Sequence, residues 1–493
     1  MKHKIINSVL SQTLFIVISG LVALVLVPLL IKMLGVMDYG AFELISSLMI
    51  VTFLLEFGMG ATLVKYIPEH KEHREELQTF IWSYFYIKLS VTLLGSLAIM
   101  VIGYHFESIF KLEEVSNLEA LKSSVYIFAV GVLLSSLSTF LENILKGFVY
   151  FGYVNLSKIV SVLLFFLLFY GYYLFSDDHS LIAIATIWFA LRPTISILNA
   201  LLVFKKVNLL PLLRPTKFDY SYIKATLPFL FGMSYITIVA QLSNQLPKVI
   251  LGALSGPVAV GYWGIMDRVQ SPLLNIQSAT LRPLVPILSD KKYHHLPKHL
   301  IFQASRLYYA LVAFIGLLII LNIDTLISLW IGHDFQEVAR LIKVLLLPFI
   351  FPNMGVLLMM YYAKGETKIN SIFLTFNTVI GIALSTTLLI VYDELIMFLY
   401  GYVLTTILLT SISIVVYLRH FKLNPKEYFQ EVILPILLVM SLTVLLSTYL
   451  NNFFPPSFWG LMGSLTTTSI IYLLLFVVVM KKEDREMLRR FRG

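Results

Sequence analysis

Fourteen stretches of about twenty mostly apolar residues, joined by short connections, dominate this chain. They run over 9–31, 41–63, 80–103, 123–145, 156–175, 180–204 and 225–247, then 260–288, 301–322, 339–361, 369–391, 394–418, 432–450 and 458–480. A helix of that length crosses about 30 Å of hydrocarbon with every backbone polar group satisfied internally. The connections are too short for a separate soluble domain. Composition agrees: 13% of the 493 residues are charged and 58% are hydrophobic, against about 25% and 45–50% in soluble proteins. An ordinary soluble enzyme and a disordered chain are therefore excluded. The lack of cysteine excludes a disulfide scaffold and any thiolate metal site. The net charge of +9 is not gathered on a folded soluble face, so no nucleic-acid partner is expected. The expected fold class is an all-α, polytopic membrane protein with about fourteen transmembrane helices and membrane lipids as partners.

Lys and Arg accumulate on alternate connections. Lys65, Lys71, Arg74, Lys205, Lys206, Arg214, Lys217 and the tail from Lys481 to Arg492 share one side with both termini. Only Lys32, Lys111, Lys122, Lys248 and Arg340 fall on the other. Both termini are thus expected in the cytoplasm. The first span follows only Lys2 and Lys4 and lacks a small-residue cleavage site, so it reads as retained.

An internal echo divides the chain near residue 215. Leu34-Gly35 precedes Tyr39-Gly40, and Leu251-Gly252 precedes Gly261-Tyr262 and Gly264. The offset of six spans is even, which describes a parallel repeat with its substrate site between the halves. The expected division is 1–215 (spans 1–6), 216–420 (spans 7–12) and 421–493 (spans 13–14 and a basic tail). The linker Lys205–Tyr222, with Pro211 and Pro215, is the expected hinge. Residues 432–480 contain no Asp, Glu, Lys or Arg, as a lipid-facing pair of helices would.

Several segments resemble a known family. Leu34-Gly35-x3-Tyr39-Gly40, then Glu56-Phe57-Gly58-Met59-Gly60 leading into Val64-Lys65-Tyr66, is similar to the opening of polysaccharide-biosynthesis flippases of the O-antigen type. Leu251-Gly252-x7-Val260-Gly261-Tyr262-Trp263 with Leu284-Val285-Pro286 resembles their second-lobe counterpart. Ile327-x2-Trp330-Ile331-Gly332-x2-Phe335 and Ala363-Lys364-Gly365-Glu366-Thr367 resemble later landmarks. The resemblance covers most of 8–420 and implies the multidrug/oligosaccharidyl-lipid/polysaccharide exporter superfamily. That implies two six-helix lobes in a V around a central cavity, plus two C-terminal helices. It also implies an undecaprenyl-diphosphate-linked oligosaccharide as substrate, an O-antigen, capsule or exopolysaccharide unit moved across the cytoplasmic (inner) membrane. Other polysaccharide-assembly membrane proteins are the partners such a role suggests. Residues 9–31 hold no charge, unlike the Arg-bearing first helix typical of the peptidoglycan-precursor branch.

Ionisable residues inside spans are costly, so each is a functional candidate. The deep cations are Lys88, Arg192, Arg268, Arg282, Arg306 and Lys343, against the anions Glu56 and Asp267. A cavity for a diphosphate needs such a cationic excess, whereas one for cationic drugs favours carboxylates. Gly264, Arg268, Ser271, Asn275, Ser278 and Arg282 share one helix face, and so do Ser234, Thr237, Gln241, Asn244 and Lys248. Polar stripes of this kind line a cavity or a tight helix interface. Lys248 lies at the outer end of its span, where snorkelling competes with cavity lining. Arg192, mid-span and followed by Pro193, is the leading single candidate. The substrate-binding set is Arg192, Arg268, Arg282, Lys88, Arg306, Lys248, Asn275, Gln241 and Asn244. Glu56 and Asp267 are candidates for ion coupling or ion pairing, and Glu142 with Lys146 reads as an i,i+4 pair.

Catalytic chemistry is sparse. There is no G-x4-G-K-[ST] phosphate loop, and His295 with His299 lacks an adjoining acidic pair, so neither cofactor nor metal is expected. The reading is a transporter rather than an enzyme: a flippase working by alternating access. A cation-coupled multidrug exporter of the same fold and a membrane glycan polymerase or ligase are the alternatives.

Overall fold

A computed structural model describes residues 2–51, 58–112, 115, 117–176, 179–281, 288, 297–364 and 368–480. Within these residues the protein is helical and contains no strand. In chain order the main helices are α1 Lys2–Ser47, α2 Met59–His70, α3 Arg74–Tyr104, α4 Leu118–Gly147, α5 Phe151–Phe175, α6 Leu181–Lys206, α7 Tyr220–Leu254 and α8 Pro257–Leu281. There follow α9 Lys298–Trp330, α10 His333–Ile350, α11 Gly355–Ala363, α12 Lys368–Tyr392, α13 Leu395–His420, α14 Pro425–Asn451 and α15 Phe458–Val479.

Helices cover most of the described residues of all fourteen apolar stretches. Among the described residues, ten helices are long and apolar enough to cross a membrane, and eleven spans result when α10 and α11, bent by 55° at their junction, count as one. α1 runs from the first stretch into the start of the second, and within it Gly35 alone leaves helical geometry at φ 75° and ψ 172°. Positive φ at no steric cost is the property that makes glycine the natural break there. This is a multi-pass membrane protein.

Hydroxyl groups within the helices bond backward to the preceding turn, as Thr92 does to the Lys88 carbonyl at 2.7 Å and Thr405 to the Gly401 carbonyl at 2.9 Å. That habit satisfies polar groups in surroundings without water.

The chain forms two compact units, Met1–Gly264 and Ile265–Gly493. In the first, Phe80, Tyr84, Phe204, Leu63, Ile67 and Ile144 build a buried core from α2, α3, α4 and α6. The linker after α6 is fastened to α3 by side-chain bonds to its backbone. Gln78 donates to the Arg214 carbonyl at 2.6 Å, Trp82 to Leu212 at 3.2 Å and Tyr86 to Thr216 at 3.0 Å. Gly40 of α1 meets the start of α8 so closely that a Cβ there would lie 1.8 Å from the Pro257 carbonyl oxygen. In the second unit, α14 and α15 pack on α9, where the Tyr472 hydroxyl donates to the Ala310 carbonyl at 2.8 Å. The Tyr309 hydroxyl ties α9 to the Ile350 carbonyl at 2.8 Å.

Candidate functional site

Arg192 occupies a local break in α6. Pro193 has no N–H to give the Phe189 carbonyl four residues earlier, and the helix widens into a π turn over Thr186–Leu191. The Arg192 N–H accordingly bonds the Ile187 carbonyl, five residues back. The widened turn presses on Gly131 of α4, where a Cβ would come within 2.2 Å of the Phe189 oxygen. The Arg192 guanidinium lies 5.2 Å from the centre of the Phe165 ring and 5.5 Å from that of Trp188. Cation–π attraction and the rigid backbone thus hold it in place at half-burial.

Arg192 lines a cavity of 490 Å³ within the first unit. Lys158 of α5, Glu142 of α4 and Gln245 of α7 also line it, with hydroxyls from Ser135, Ser138, Thr139, Ser161 and Ser196. Glu142 sits between two cations, 2.9 Å from Lys158 and 3.6 Å from Lys146. Desolvation lowers the dielectric around such charges and strengthens their attraction for an anionic ligand. Among the described lining residues the cations are Arg192 and Lys158 and the anion is Glu142. A ligand carrying phosphate oxygens and hydroxyls matches this mixture of guanidinium, ammonium, amide and alcohol groups.

The other sequence candidates are dispersed. Lys88 is buried on α3. Lys248 of α7 is also buried, and its Nζ lies 2.6 Å from Oε2 of Glu43, which in turn accepts a bond from the Tyr39 hydroxyl at 3.2 Å. Gln241 is half-buried and Asn244 exposed on α7. On α8, Arg268 and Asp267 are half-buried, Asn275 is exposed, and Ser271 donates to Asp267 at 2.9 Å. Arg306 is buried on α9 and donates to the Glu431 carbonyl at 3.0 Å. That carbonyl is the one Pro435 cannot serve, at a second π turn over Phe429–Ile433. Lys343 pairs with Asp324 at 2.5 Å. Arg282 and Glu56 lie outside the described residues.

Sequence reasoning left both Lys158 and Glu43 out of the candidate set. Lys158, Ser161, Val162 and Phe165 share a helix face by their spacing, a signal that points Lys158 at the same space as Arg192. Glu43 follows Gly40 in the second stretch, and its partner stands 205 residues away.

A second cavity, of 790 Å³, lies within the second unit, lined by α8, α9, α10, α11 and α13. No charged side chain occurs among its described lining residues.

The family described as polysaccharide biosynthesis protein matches residues 5–292. The chain belongs to that family. No curated protein matches the sequence. Among solved structures, the fold is similar to the lipid II flippase MurJ in its inward closed conformation. The TM-score is 0.66 at 16% identity, covering 98% of this chain and 100% of that one. It is also similar to a multidrug resistance MATE family transporter of the MOP superfamily in an inward-facing conformation, with TM-score 0.57 and 15% identity over 83% of this chain and 94% of that one. A MATE in complex with MaL6 gives TM-score 0.54 at 16% identity over 85% and 96%. At these identities the likeness establishes the fold, which this polysaccharide biosynthesis family member shares with flippases and exporters.

Proposed function

We propose that the protein is a flippase that moves an undecaprenyl-diphosphate-linked oligosaccharide, an O-antigen, capsule or exopolysaccharide unit, across the cytoplasmic membrane by alternating access. Both termini are cytoplasmic in this reading, and no covalent chemistry is catalysed. The observation that carries it is Arg192, held at the Pro193 break against the rings of Phe165 and Trp188 and facing a hydroxyl-rich cavity with Lys158. Guanidinium and ammonium groups hold a diphosphate, while the hydroxyls and Gln245 replace part of the water lost by the ligand. Arg268, Gln241 and Asn244 are further candidate contacts for the same substrate. Membership of the polysaccharide biosynthesis family supports the substrate class.

The test is export in cells at matched protein abundance. Arg192→Gln removes a charge-assisted contact of about 1.5–3 kcal/mol, so affinity falls roughly tenfold to hundredfold. Surface glycan drops and lipid-linked precursor accumulates on the cytoplasmic leaflet. Arg192→Lys restores part of the transport, because the charge persists without the bidentate geometry. Unchanged export by an Arg192→Gln, Lys158→Gln double variant rejects the anion clamp.

A further inference from the structure

We infer that the 790 Å³ cavity of the second unit is a subsite for uncharged sugar units, an inference that rests on the flippase reading and specifies its ligand. Its volume falls in the range of small-ligand sites, about 300–1,000 Å³. Its lining combines two features that sugars require and that a prenyl chain does not. The first is flat aromatic surface. Tyr308 lies against the first turn of α11, where a Cβ on Gly355 would come 2.0 Å from its ring, so glycine is what admits the ring there. The Tyr362 hydroxyl accepts a bond from the Asn370 amide at 2.7 Å, which fixes that ring too. Such faces receive the C–H side of a pyranose.

The second feature is planar amides. Gln270, Gln277 and Asn353 line the cavity, each offering a donor and an acceptor side by side. Asn353 uses its Oδ1 to accept the Gly355 N–H at 3.2 Å. Its Nδ2 is buried and has no hydrogen-bond partner among the described residues. A buried donor held in place without an acceptor calls for one from a ligand, and a sugar hydroxyl supplies it. A cationic drug would call for a carboxylate, and a phosphate for Arg or Lys. Neither charge type occurs among the described lining residues.

The test titrates the full chain, purified in detergent micelles, by native mass spectrometry with two probes. One is the lipid-linked precursor extracted from cells lacking this transporter, and the other is undecaprenyl diphosphate alone. Wild type is expected to bind the precursor more tightly than the bare carrier. Gln277→Ala and Asn353→Ala are each expected to weaken precursor binding about three- to tenfold, the loss of one neutral hydrogen bond, and to leave the bare carrier unchanged. Gln277 is half-exposed and decides the matter if Asn353→Ala does not fold. Equal weakening of both probes assigns the cavity to the prenyl chain and overturns the proposal, and so does unchanged binding of the precursor. Either result leaves the flippase reading standing. Failure of wild type to bind either probe overturns that reading itself.

Discussion

Lys248→Met strips the partner from a carboxylate that is 2% exposed. Two unit charges 2.6 Å apart attract by about 6 kcal/mol at an effective dielectric of about 20. Desolvation of both ions offsets much of that attraction, so the pair adds little over a well-packed apolar pair. Removing one ion is different: Glu43 keeps its burial and the bond from Tyr39 but loses the ammonium. Breaking a buried pair in this way costs about 3–5 kcal/mol. Methionine preserves most of the volume of the lysine stem, which isolates the electrostatic effect from a packing defect. The Glu43→Met, Lys248→Met double variant is expected to recover to within about 1 kcal/mol of wild type. The assay is an SDS titration of the purified chain in mixed micelles, followed by tryptophan fluorescence, with unfolding free energies compared through the mutant cycle. A single variant that loses less than about 1 kcal/mol, or a double variant no more stable than the singles, refutes the reasoning.

Other outcomes follow from the same geometry. Gly131→Ala places a Cβ 2.2 Å from the Phe189 oxygen, and such overpacking lowers stability by about 1–3 kcal/mol; the SDS titration reads the loss, and export falls as Arg192 shifts. Asp219 caps α7 by accepting bonds from the Ser221 hydroxyl at 2.6 Å and the Ser221 N–H at 2.9 Å, which hold its pKa below the usual 3.8. A carboxylate depressed in the folded state stabilises above its unfolded pKa and ceases to do so as pH falls through the folded one. Asp219→Ala therefore lowers thermal stability at neutral pH, and the gap to wild type closes as acid protonates the wild-type carboxylate; a gap independent of pH contradicts the cap. Arg214→Cys, in a chain without native cysteine, is expected to resist an impermeant thiol reagent applied outside intact cells, and outside labelling contradicts the topology.

The membrane architecture was legible because hydrocarbon thickness demands long apolar runs, and fourteen such runs cannot be hidden by local noise. Arg192 was legible for a related reason: a mid-span guanidinium beside Pro193 violates two local preferences at once, and such violations gather at functional positions. The remainder depends on pairings distant in sequence. Glu43 meets Lys248 across 205 residues, so the amphipathic spacing of α7 revealed a polar face without revealing what faces it. Arg306 was a candidate because it lies within an apolar stretch, and what the sequence did not reveal is that the carbonyl freed by Pro435 accepts a hydrogen bond from it. The Lys205–Tyr222 linker read as a hinge from its prolines. Its bonds to Gln78, Trp82 and Tyr86 join side chains to backbone and leave no periodic trace. The neutral cavity of the second unit escaped notice because a search for intramembrane charge passes over amides and tyrosines.

Transport itself is tested most directly in proteoliposomes containing only the purified chain and lipid-linked precursor. The fraction of precursor open to an added glycosidase is followed with time. The account predicts that wild type raises this fraction well above the plateau of protein-free vesicles, and that Arg192→Gln slows the rise roughly tenfold to hundredfold at equal reconstitution. A wild-type trace that matches protein-free vesicles, with the chain folded and inserted, contradicts the flippase assignment.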